Sequence, residues 1–210
     1  MSNNYDAVAG SYDFLSRLIF GSAIKQSQLC LLPFIPAQST ILIVGGGTGW
    51  ILEELVKVHP EGLTITYIEA SAKMIELTSK RNIGRNKVSM ICLPVETYIA
   101  TQQFDVIITP YLFDNFTEQQ AAQHFYKLHN LLKIQGQWLF ADFYICPQTG
   151  KWWQKVLLKM MYFFFREICN VQARRLIDMN TYFEHSNYKV KYVGFYYWKF
   201  IRCAAWEKTT

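Results

Sequence analysis

The sequence predicts an α/β fold in which a mostly parallel sheet carries helices on both faces. Short apolar runs alternate with amphipathic segments through the middle of the chain, which is typical of parallel-sheet proteins. The run 41–44 is Ile-Leu-Ile-Val without a polar residue, as expected of a strand buried on both faces. It leads directly into the glycine-rich turn 45–49, where the backbone can approach a molecule bound at a helix N-terminus.

The composition fits one folded domain over residues 1–210. Of the 210 residues, 51% are hydrophobic and 18% charged, and a chain of this length can bury a sizeable core. The aromatic share of 16% exceeds what an ordinary core requires, so we expect some rings to line a pocket. The net charge of +5 permits an anionic partner, although no run of five like charges concentrates it.

Several sequence features bear on compartment and metal content. The first residues lack a basic region followed by an apolar one, and the apolar segment 156–165 is too short to span a bilayer. We therefore expect a soluble, cytoplasmic protein. The five cysteines are scattered without a Cys-x-x-Cys pair, which favours reduced thiols. His124 and His129 are five residues apart, a spacing that does not align two ligands on a helix, so no metal is expected.

The elements are predicted in order along the chain. Residues 1–40 form a helical cap, ended by Pro33 and Pro36, whose two Tyr-Asp pairs at 5–6 and 12–13 are expected to pack and hydrogen-bond. Thr117 and Gln120 form a capping box ahead of a helix that ends at Gly136. The predicted strands are 41–44, 63–68, 88–93, 104–109, 137–143, 189–196 and 200–207, the last two as an antiparallel pair. The other predicted helices are 51–56, 72–81, a short turn at 96–100, 151–169 and 174–185.

The spacing of the glycines discriminates between cofactors. Gly45, Gly47 and Gly49 satisfy G-x-G-x-G, whereas the dinucleotide fingerprint requires glycine where Trp50 stands, and no P-loop lysine follows. Glu69 ends the second predicted strand about 20 residues later, where an acid can accept hydrogen bonds from ribose hydroxyls. Together these features favour a nucleoside-type cofactor over a purely structural turn.

Four segments, 41–49, 67–74, 104–108 and 131–138, resemble in order and spacing the signature segments of class I S-adenosylmethionine-dependent methyltransferases. The pattern Tyr-Asp-x-x-Ala-x-x-Tyr-Asp that begins at Tyr5 resembles the opening of the ubiquinone/menaquinone C-methyltransferase-like small-molecule branch. The resemblance implies a Rossmann-like sheet of seven strands with an antiparallel last strand. It divides the chain into an N-terminal cap (1–40), a cofactor-binding core (41–143), a helical insertion that covers the substrate before strand six (144–187) and a final strand pair (188–210).

The resemblance also implies residue roles. The alternating glycines would contact the methionine moiety of S-adenosylmethionine, and Glu69 would bind the ribose. The backbone of Val95 would hydrogen-bond to the adenine, and Thr109 would lie beside the sulfonium. Tyr12 would close over the cofactor from the cap. The implied cofactor-binding set is Tyr12, Gly45, Gly46, Gly47, Thr48, Gly49, Glu69, Ala70, Met74, Val95, Glu96 and Thr109.

Two positions depart from the family pattern. Ile43 stands where an acidic residue usually anchors the cofactor's amino group, and Pro94 stands where an aspartate often binds the adenine amine. Glu96 can replace the second of these acids. The departures leave open a non-catalytic binding protein that has kept the methyltransferase fold.

The acceptor is expected to bind at 109–116, after the fourth strand, where open α/β sheets hold their ligands. Asp114 is the candidate for orienting or deprotonating it, and polarity at the helix start before Thr117 is the alternative. The aromatic helix 151–169 would cover an apolar acceptor. The predicted substrate-binding residues are Tyr111, Asn115, Tyr144, Trp152 and Trp153.

The sequence therefore predicts methyl transfer from S-adenosylmethionine to oxygen or carbon of a small, apolar or aromatic acceptor, with S-adenosylhomocysteine as product. A nucleic-acid methyltransferase is a less favoured alternative, suggested by the pI near 8.9 and the Thr-Pro-Tyr sequence at 109–111.

Overall fold

The computed structural model describes residues 6, 9–10, 12–146, 148–169, 173 and 175–209, without the side chain of residue 12. Within these ranges seven strands form one sheet in the order β3-β2-β1-β4-β5-β7-β6. Neighbouring strands from β3 to β5 are parallel, and β7 is antiparallel to β5 and β6, which confirms the predicted fold class. The strands are β1 (Thr40–Val44), β2 (Glu61–Glu69), β3 (Arg85–Cys92), β4 (Phe104–Pro110), β5 (Leu132–Phe143), β6 (Tyr188–Tyr196) and β7 (Ile201–Lys208).

Helices cover both faces of the sheet. Thr117 and Gln120 form the predicted capping box, in which the Thr117 hydroxyl accepts the Gln120 N–H and the Gln120 side chain accepts the Thr117 N–H. In the described part of the chain, no helix is long and apolar enough to cross a membrane. The α-helices are α1 (Tyr12–Phe20), α2 (Ala23–Leu29), α3 (Trp50–Val58), α4 (Ala72–Ser79), α5 (Glu118–Leu131), α6 (Trp152–Cys169) and α7 (Met179–His185).

The hydrophobic core lies on both faces of β1. Leu42 and Val44 belong to the cluster that α5 and α7 cover, whereas Ile41 and Ile43 belong to the cluster on the other face with α3. All four side chains are at most 1% exposed, which explains why this strand has no polar residue. The strand order reverses between β1 and β4, and open α/β sheets bind ligands outside the carboxyl ends of strands at such a point.

Strand β5 begins earlier than the sequence predicts. The chain is already extended at Leu132, whose φ is −84° and ψ 128°, so α5 ends at Leu131 and not at Gly136. The residue with the left-handed backbone is Gln135, with φ 63°. A Cβ on Gly136 would lie 3.0 Å from the Asp105 carbonyl oxygen, so this glycine permits close strand contact and does not cap a helix.

Two further boundaries differ from prediction. The segment 96–100 is not helical. A single reverse turn overlaps its start, in which the Thr97 N–H donates to the Pro94 carbonyl at 3.1 Å, and the residues that follow are irregular. Helix α7 begins at Met179, where the Asp178 carboxylate caps the Asn180 N–H, and not at Arg174, which lies outside the described residues.

Candidate functional site

A cavity of about 580 Å³ opens at the carboxyl ends of β1, β2 and β4, within the size range of ligand sites, about 300–1,000 Å³. One half is bounded by the glycine turn and the end of β2, and the other by apolar side chains of α1 and α6. The cavity brings together most of the predicted site: Gly45, Gly46, Gly47, Thr48, Glu69, Ala70, Met74, Val95, Glu96, Tyr111, Asp114 and Asn115.

The glycine turn requires glycine for two different physical reasons. Gly45, Gly47 and Gly49 have φ of 70°, 65° and 75°, in the left-handed region that other residues rarely adopt. Gly46 lacks a positive φ, but a Cβ there would overlap the Tyr67 hydroxyl and lie 2.5 Å from its ring carbon Cε2. Gly49 does not line the cavity, contrary to prediction, because it precedes α3 and packs against Thr78.

The Gly47 peptide is held from both sides. Its carbonyl accepts hydrogen bonds from the Tyr67 hydroxyl at 3.0 Å and the Thr78 hydroxyl at 3.1 Å, and its N–H donates to Glu69 Oε2 at 3.1 Å. Burial raises the pKa of Tyr67, so the phenol remains a neutral donor. The turn is therefore preorganised by β2 and α4 before any ligand arrives.

Glu69 is only 7% exposed and still borders the cavity. Its Oε1 accepts the Ser71 N–H at 3.0 Å while Oε2 accepts the Gly47 N–H. Burial raises the pKa of Glu69, and the two backbone N–H groups oppose that rise. A carboxylate offers about four acceptor positions, so each oxygen keeps capacity for one ribose hydroxyl.

The acids of the two Tyr-Asp pairs fasten the N-terminal segment to this side of the cavity. Asp13 Oδ2 accepts the Thr48 hydroxyl at 2.7 Å and lies 3.7 Å from Arg81, while Asp6 Oδ1 accepts the Ser71 hydroxyl at 2.5 Å. Tyr12 was predicted to close over the cofactor, but its side chain lies outside the described residues, as does Tyr5.

Asp13 also borders the cavity beside the glycine turn, whereas Ile43 is fully buried in the core. Asp13 was not among the cofactor-binding residues predicted from the sequence. The signal that could have found it is its place in the second Tyr-Asp pair, combined with the missing acid at Ile43.

The far end of the polar half is formed after β2 and β3. Ala70 and Met74 face the turn that contains Val95 and Glu96 across the cavity. Lys127 of α5 donates to the carbonyl oxygens of both turn residues, at 2.9 Å each, which fixes this wall to α5.

Tyr111 marks the junction between the two halves. Its φ of 51° is unusual for an aromatic residue, and such backbone strain is concentrated at ligand sites. The Tyr111 N–H donates to the Ala141 carbonyl at 2.7 Å, and Asn115 Nδ2 donates to the Tyr111 carbonyl at 2.9 Å. Its hydroxyl lies 2.8 Å from the Ser27 hydroxyl of α2, so the ring is held in place.

Two carboxyl groups lie close together below this junction. Asp142, at the end of β5, accepts the N–H groups of Phe113 and Asp114 on Oδ2 and of Phe143 on Oδ1, at 2.8–3.3 Å. Burial raises the pKa of Asp142 to about 7, although the three hydrogen bonds act to lower it. Burial, and then the charge of Asp142, raise the pKa of Asp114 well above its ordinary value. The pair therefore retains a proton near neutral pH.

Tyr162 of α6 lies beside the pair. Burial, followed by the charges of Asp114 and Asp142, raises its pKa, and its buried hydroxyl has no hydrogen-bond partner among the described residues. Asp142 and Tyr162 were missed by the sequence analysis. A carboxylate inside an apolar strand was the available signal for Asp142, whereas Tyr162 had none.

Besides Gly49, the structure leaves four further predicted site residues outside the cavity. Thr109 is fully buried, and its hydroxyl accepts the Trp138 indole N–H at 2.9 Å on a face of the sheet. Tyr144 packs its ring against Phe195, 5.8 Å between centroids. The other two are Trp152 and Trp153.

The two tryptophans lie on faces of α6 that do not line the cavity. Trp152 is 77% exposed, and Trp153 packs against Phe200 with centroids 6.0 Å apart. The residues that do line the apolar half recur at three- and four-residue steps, as one helix face requires. They are Leu157, Met160, Met161, Phe164 and Phe165 of α6, together with Leu15, Ile19 and Phe20 of α1.

Comparisons with known proteins agree with this geometry. The model of the methyltransferase domain family matches residues 41–136. Malonyl-[acyl-carrier protein] O-methyltransferase of Priestia megaterium is 34% identical over 110 residues, which are 52% of this chain and 39% of that protein. The ubiquinone/menaquinone biosynthesis C-methyltransferase of Geotalea uraniireducens is 28% identical over 146 residues, 66% of this chain and 61% of that protein.

Among solved structures, an N-methyltransferase from Bradyrhizobium japonicum in complex with S-adenosylhomocysteine has a TM-score of 0.68 at 12% identity, with 89% of this chain and 86% of that chain covered. Residues 41–136 therefore resemble a methyltransferase domain, and the glycine turn lies within the matched segment. These similarities agree with the family and the cofactor that the sequence predicts. The chain spans about two fifths of the first curated relative and three fifths of the second.

No group of three His, Cys, Asp or Glu side chains that could hold a metal ion occurs in the ranges that the structure describes.

Proposed function

We propose that this chain transfers the methyl group of S-adenosylmethionine to an oxygen or carbon atom of a small, apolar or aromatic acceptor. The observation that carries the proposal is the division of one cavity into a polar half, with the glycine turn and Glu69, and an apolar half, with Asp114 among the lining residues. Such a cavity fits a nucleoside cofactor and an apolar acceptor side by side.

The residues present fit the cofactor. The Gly45–Gly47 backbone would contact the methionine moiety, and the free acceptor positions of Glu69 would bind the ribose hydroxyls. Asp13 would accept from the cofactor's ammonium group in place of the acid lost at Ile43, because its carboxylate borders the cavity and accepts the hydroxyl of Thr48 in the glycine turn. The wall around Met74 and Val95 would enclose the adenine ring.

The reaction asks mainly for alignment and exclusion of water. When bound, S-adenosylmethionine supplies a methyl group on positively charged sulfur, and the carbon–sulfur bond breaks as the bond to the acceptor forms. Asp114 would take the proton that an acceptor O–H or acidic C–H loses. Asp142 would act as a positioning residue, since it anchors the backbone of Asp114 and its charge raises the pKa of Asp114. A base with a pKa near the working pH is favoured for such a proton transfer.

The apolar half supports the acceptor class. Aromatic and methionine side chains of α1 and α6, with Phe143 from β5, surround it, and burial of an apolar acceptor against them removes water from the methyl donor. The relatives support transfer to oxygen or carbon, because their printed names describe O-methylation of malonyl-[acyl-carrier protein] and C-methylation in ubiquinone/menaquinone biosynthesis. The cytoplasmic location expected from the sequence stays a prediction, which cell fractionation checks.

The test combines cofactor binding with methyl transfer. Titration calorimetry should show binding of S-adenosylhomocysteine, and labelled S-adenosylmethionine should label a product from apolar extracts of the source cells. Asp114→Asn should lower kcat about 10²- to 10⁴-fold and abolish the rise of activity with pH, without changing S-adenosylhomocysteine affinity more than twofold. Glu76→Gln, on the exposed face of α4, is the matched control and should leave both unchanged.

The outcomes separate the parts of the proposal. Absence of cofactor binding would refute the methyltransferase function for this chain. Full activity of the Asp114→Asn variant with intact binding would refute the role of Asp114 as base and leave an acceptor that needs no deprotonation.

A further inference from the structure

The mouth of the cavity carries an apolar surface that no described residue covers. The exposed apolar side chains of α6 recur at three- and four-residue steps on the side opposite its buried residues, and exposed apolar side chains of α1 include Ile19, which lines the cavity. Single exposed apolar residues are ordinary, whereas a contiguous patch of this kind indicates an interaction site. The residues more than half exposed are Phe14 and Leu18 on α1 and Trp152, Met160 and Phe163 on α6.

This surface continues into the cavity. Ile19, Met160 and Phe164 are exposed to solvent and also line the apolar half, so the outer patch and the inner wall form one apolar surface. A molecule that leaves an apolar phase at the patch would reach the cavity without crossing a polar rim.

The charges beside the patch are mainly positive. Residues 12–20 and 151–169 together contain five basic side chains and only two acidic ones, Asp13 and Glu167. Asp13 is bound to Thr48, and Glu167 pairs with Arg166 at 3.4 Å. Lys155 and Lys159 are exposed along one border of the apolar stripe of α6, the arrangement of a helix that lies in a membrane interface.

We infer that the α1–α6 surface docks on an anionic lipid bilayer and admits a lipophilic acceptor from it. The inference rests on the proposed function, since it names the phase from which the acceptor enters. The basic border complements anionic lipid headgroups. A second copy of this chain is a poorer occupant, because a two-fold contact across the patch would bring the same basic border together from both copies.

The experiment is co-sedimentation of the full chain with vesicles of phosphatidylcholine alone and of phosphatidylcholine mixed with phosphatidylglycerol. The wild type should bind the anionic vesicles and lose binding as salt is raised. Combined Leu18→Ser and Phe163→Ser should weaken binding at least tenfold, since both side chains would leave the lipid phase. Lys155→Glu with Lys159→Glu should weaken it at least fivefold for each lysine lost.

Matched controls are Ile134→Ser and Lys87→Glu, both exposed and away from the cavity, which should bind like the wild type. Wild-type protein that binds neither vesicle, or patch variants that bind as well as the controls, would overturn the inference. A dimer that the Phe163→Ser change dissociates would assign the patch to a second copy instead. Titration of each variant with S-adenosylhomocysteine shows that it is folded. Wild-type protein that binds anionic vesicles but not S-adenosylhomocysteine would refute the proposed function and leave the lipid-docking surface intact.

Discussion

Replacement of Glu69 by glutamine should weaken cofactor binding about 10- to 150-fold. In the structure the carboxylate accepts the Gly47 N–H on one oxygen and the Ser71 N–H on the other, at 3.1 and 3.0 Å. Glutamine keeps one acceptor oxygen, so its amide NH₂ would face one of these N–H groups donor to donor. A hydrogen bond to a charged group contributes about 1.5–3 kcal/mol, and about 1.4 kcal/mol corresponds to a tenfold change in Kd.

Titration calorimetry with S-adenosylhomocysteine measures this change directly. A melting curve of the free protein shows how much of it comes from a disturbed glycine turn, because that part lowers Tm whether or not ligand is present. Glu76→Gln makes the same chemical change on an exposed helix face and should alter neither quantity. An affinity of Glu69→Gln within twofold of wild type, in folded protein, would refute Glu69 as the ribose acceptor.

Three other predictions concern the same cavity. Asp13→Ala should weaken the binding of S-adenosylhomocysteine about tenfold in calorimetry. The affinity for methylthioadenosine, which lacks the amino acid part, should not change, and an equal loss of affinity for both ligands would show that Asp13 acts only through Thr48. Gly46→Ala should destabilise the fold by about 1–3 kcal/mol and lower Tm by about 2–4 °C per kcal/mol, because the fully buried Tyr67 ring cannot move away; an unchanged Tm contradicts this. Because the pKa of Asp142 is raised from 3.8 to about 7, its contribution to stability is full below pH 4 and is lost as pH rises through 7, by at most about 4 kcal/mol. Urea unfolding at pH 5 and pH 8 should show this loss, and Asp114→Asn should reduce it, since one coupled carboxyl group is removed.

Features that depend on neighbouring residues could be predicted from the sequence. The positive φ of Gly45 and Gly47 follows from their spacing after a buried strand, and the capping box at Thr117 needs only a partner three residues later. The alternation of strands and helices was sufficient for the parallel sheet, because each apolar run must be buried and each amphipathic segment must cover it.

Features that depend on how distant elements meet could not. Gly136 was read as a helix end, and only the pairing of β5 with β4 shows that it lies inside a strand. Thr109 was placed beside the cofactor, but the sheet turns its hydroxyl towards Trp138. A strand's alternation shows that successive side chains face opposite sides, not which side holds the ligand.

The sequence by itself therefore determined the fold class and the glycine turn, since short-range geometry encodes both. Only the tertiary structure decided which residues form the apolar half of the cavity. Asp114, Asp142 and Tyr162 come from a short helical turn, a strand end and helix α6, and burial, which no local pattern reports, is the first cause of each raised pKa. The same holds for Asp13, which contacts the glycine turn only because α1 lies against Thr48.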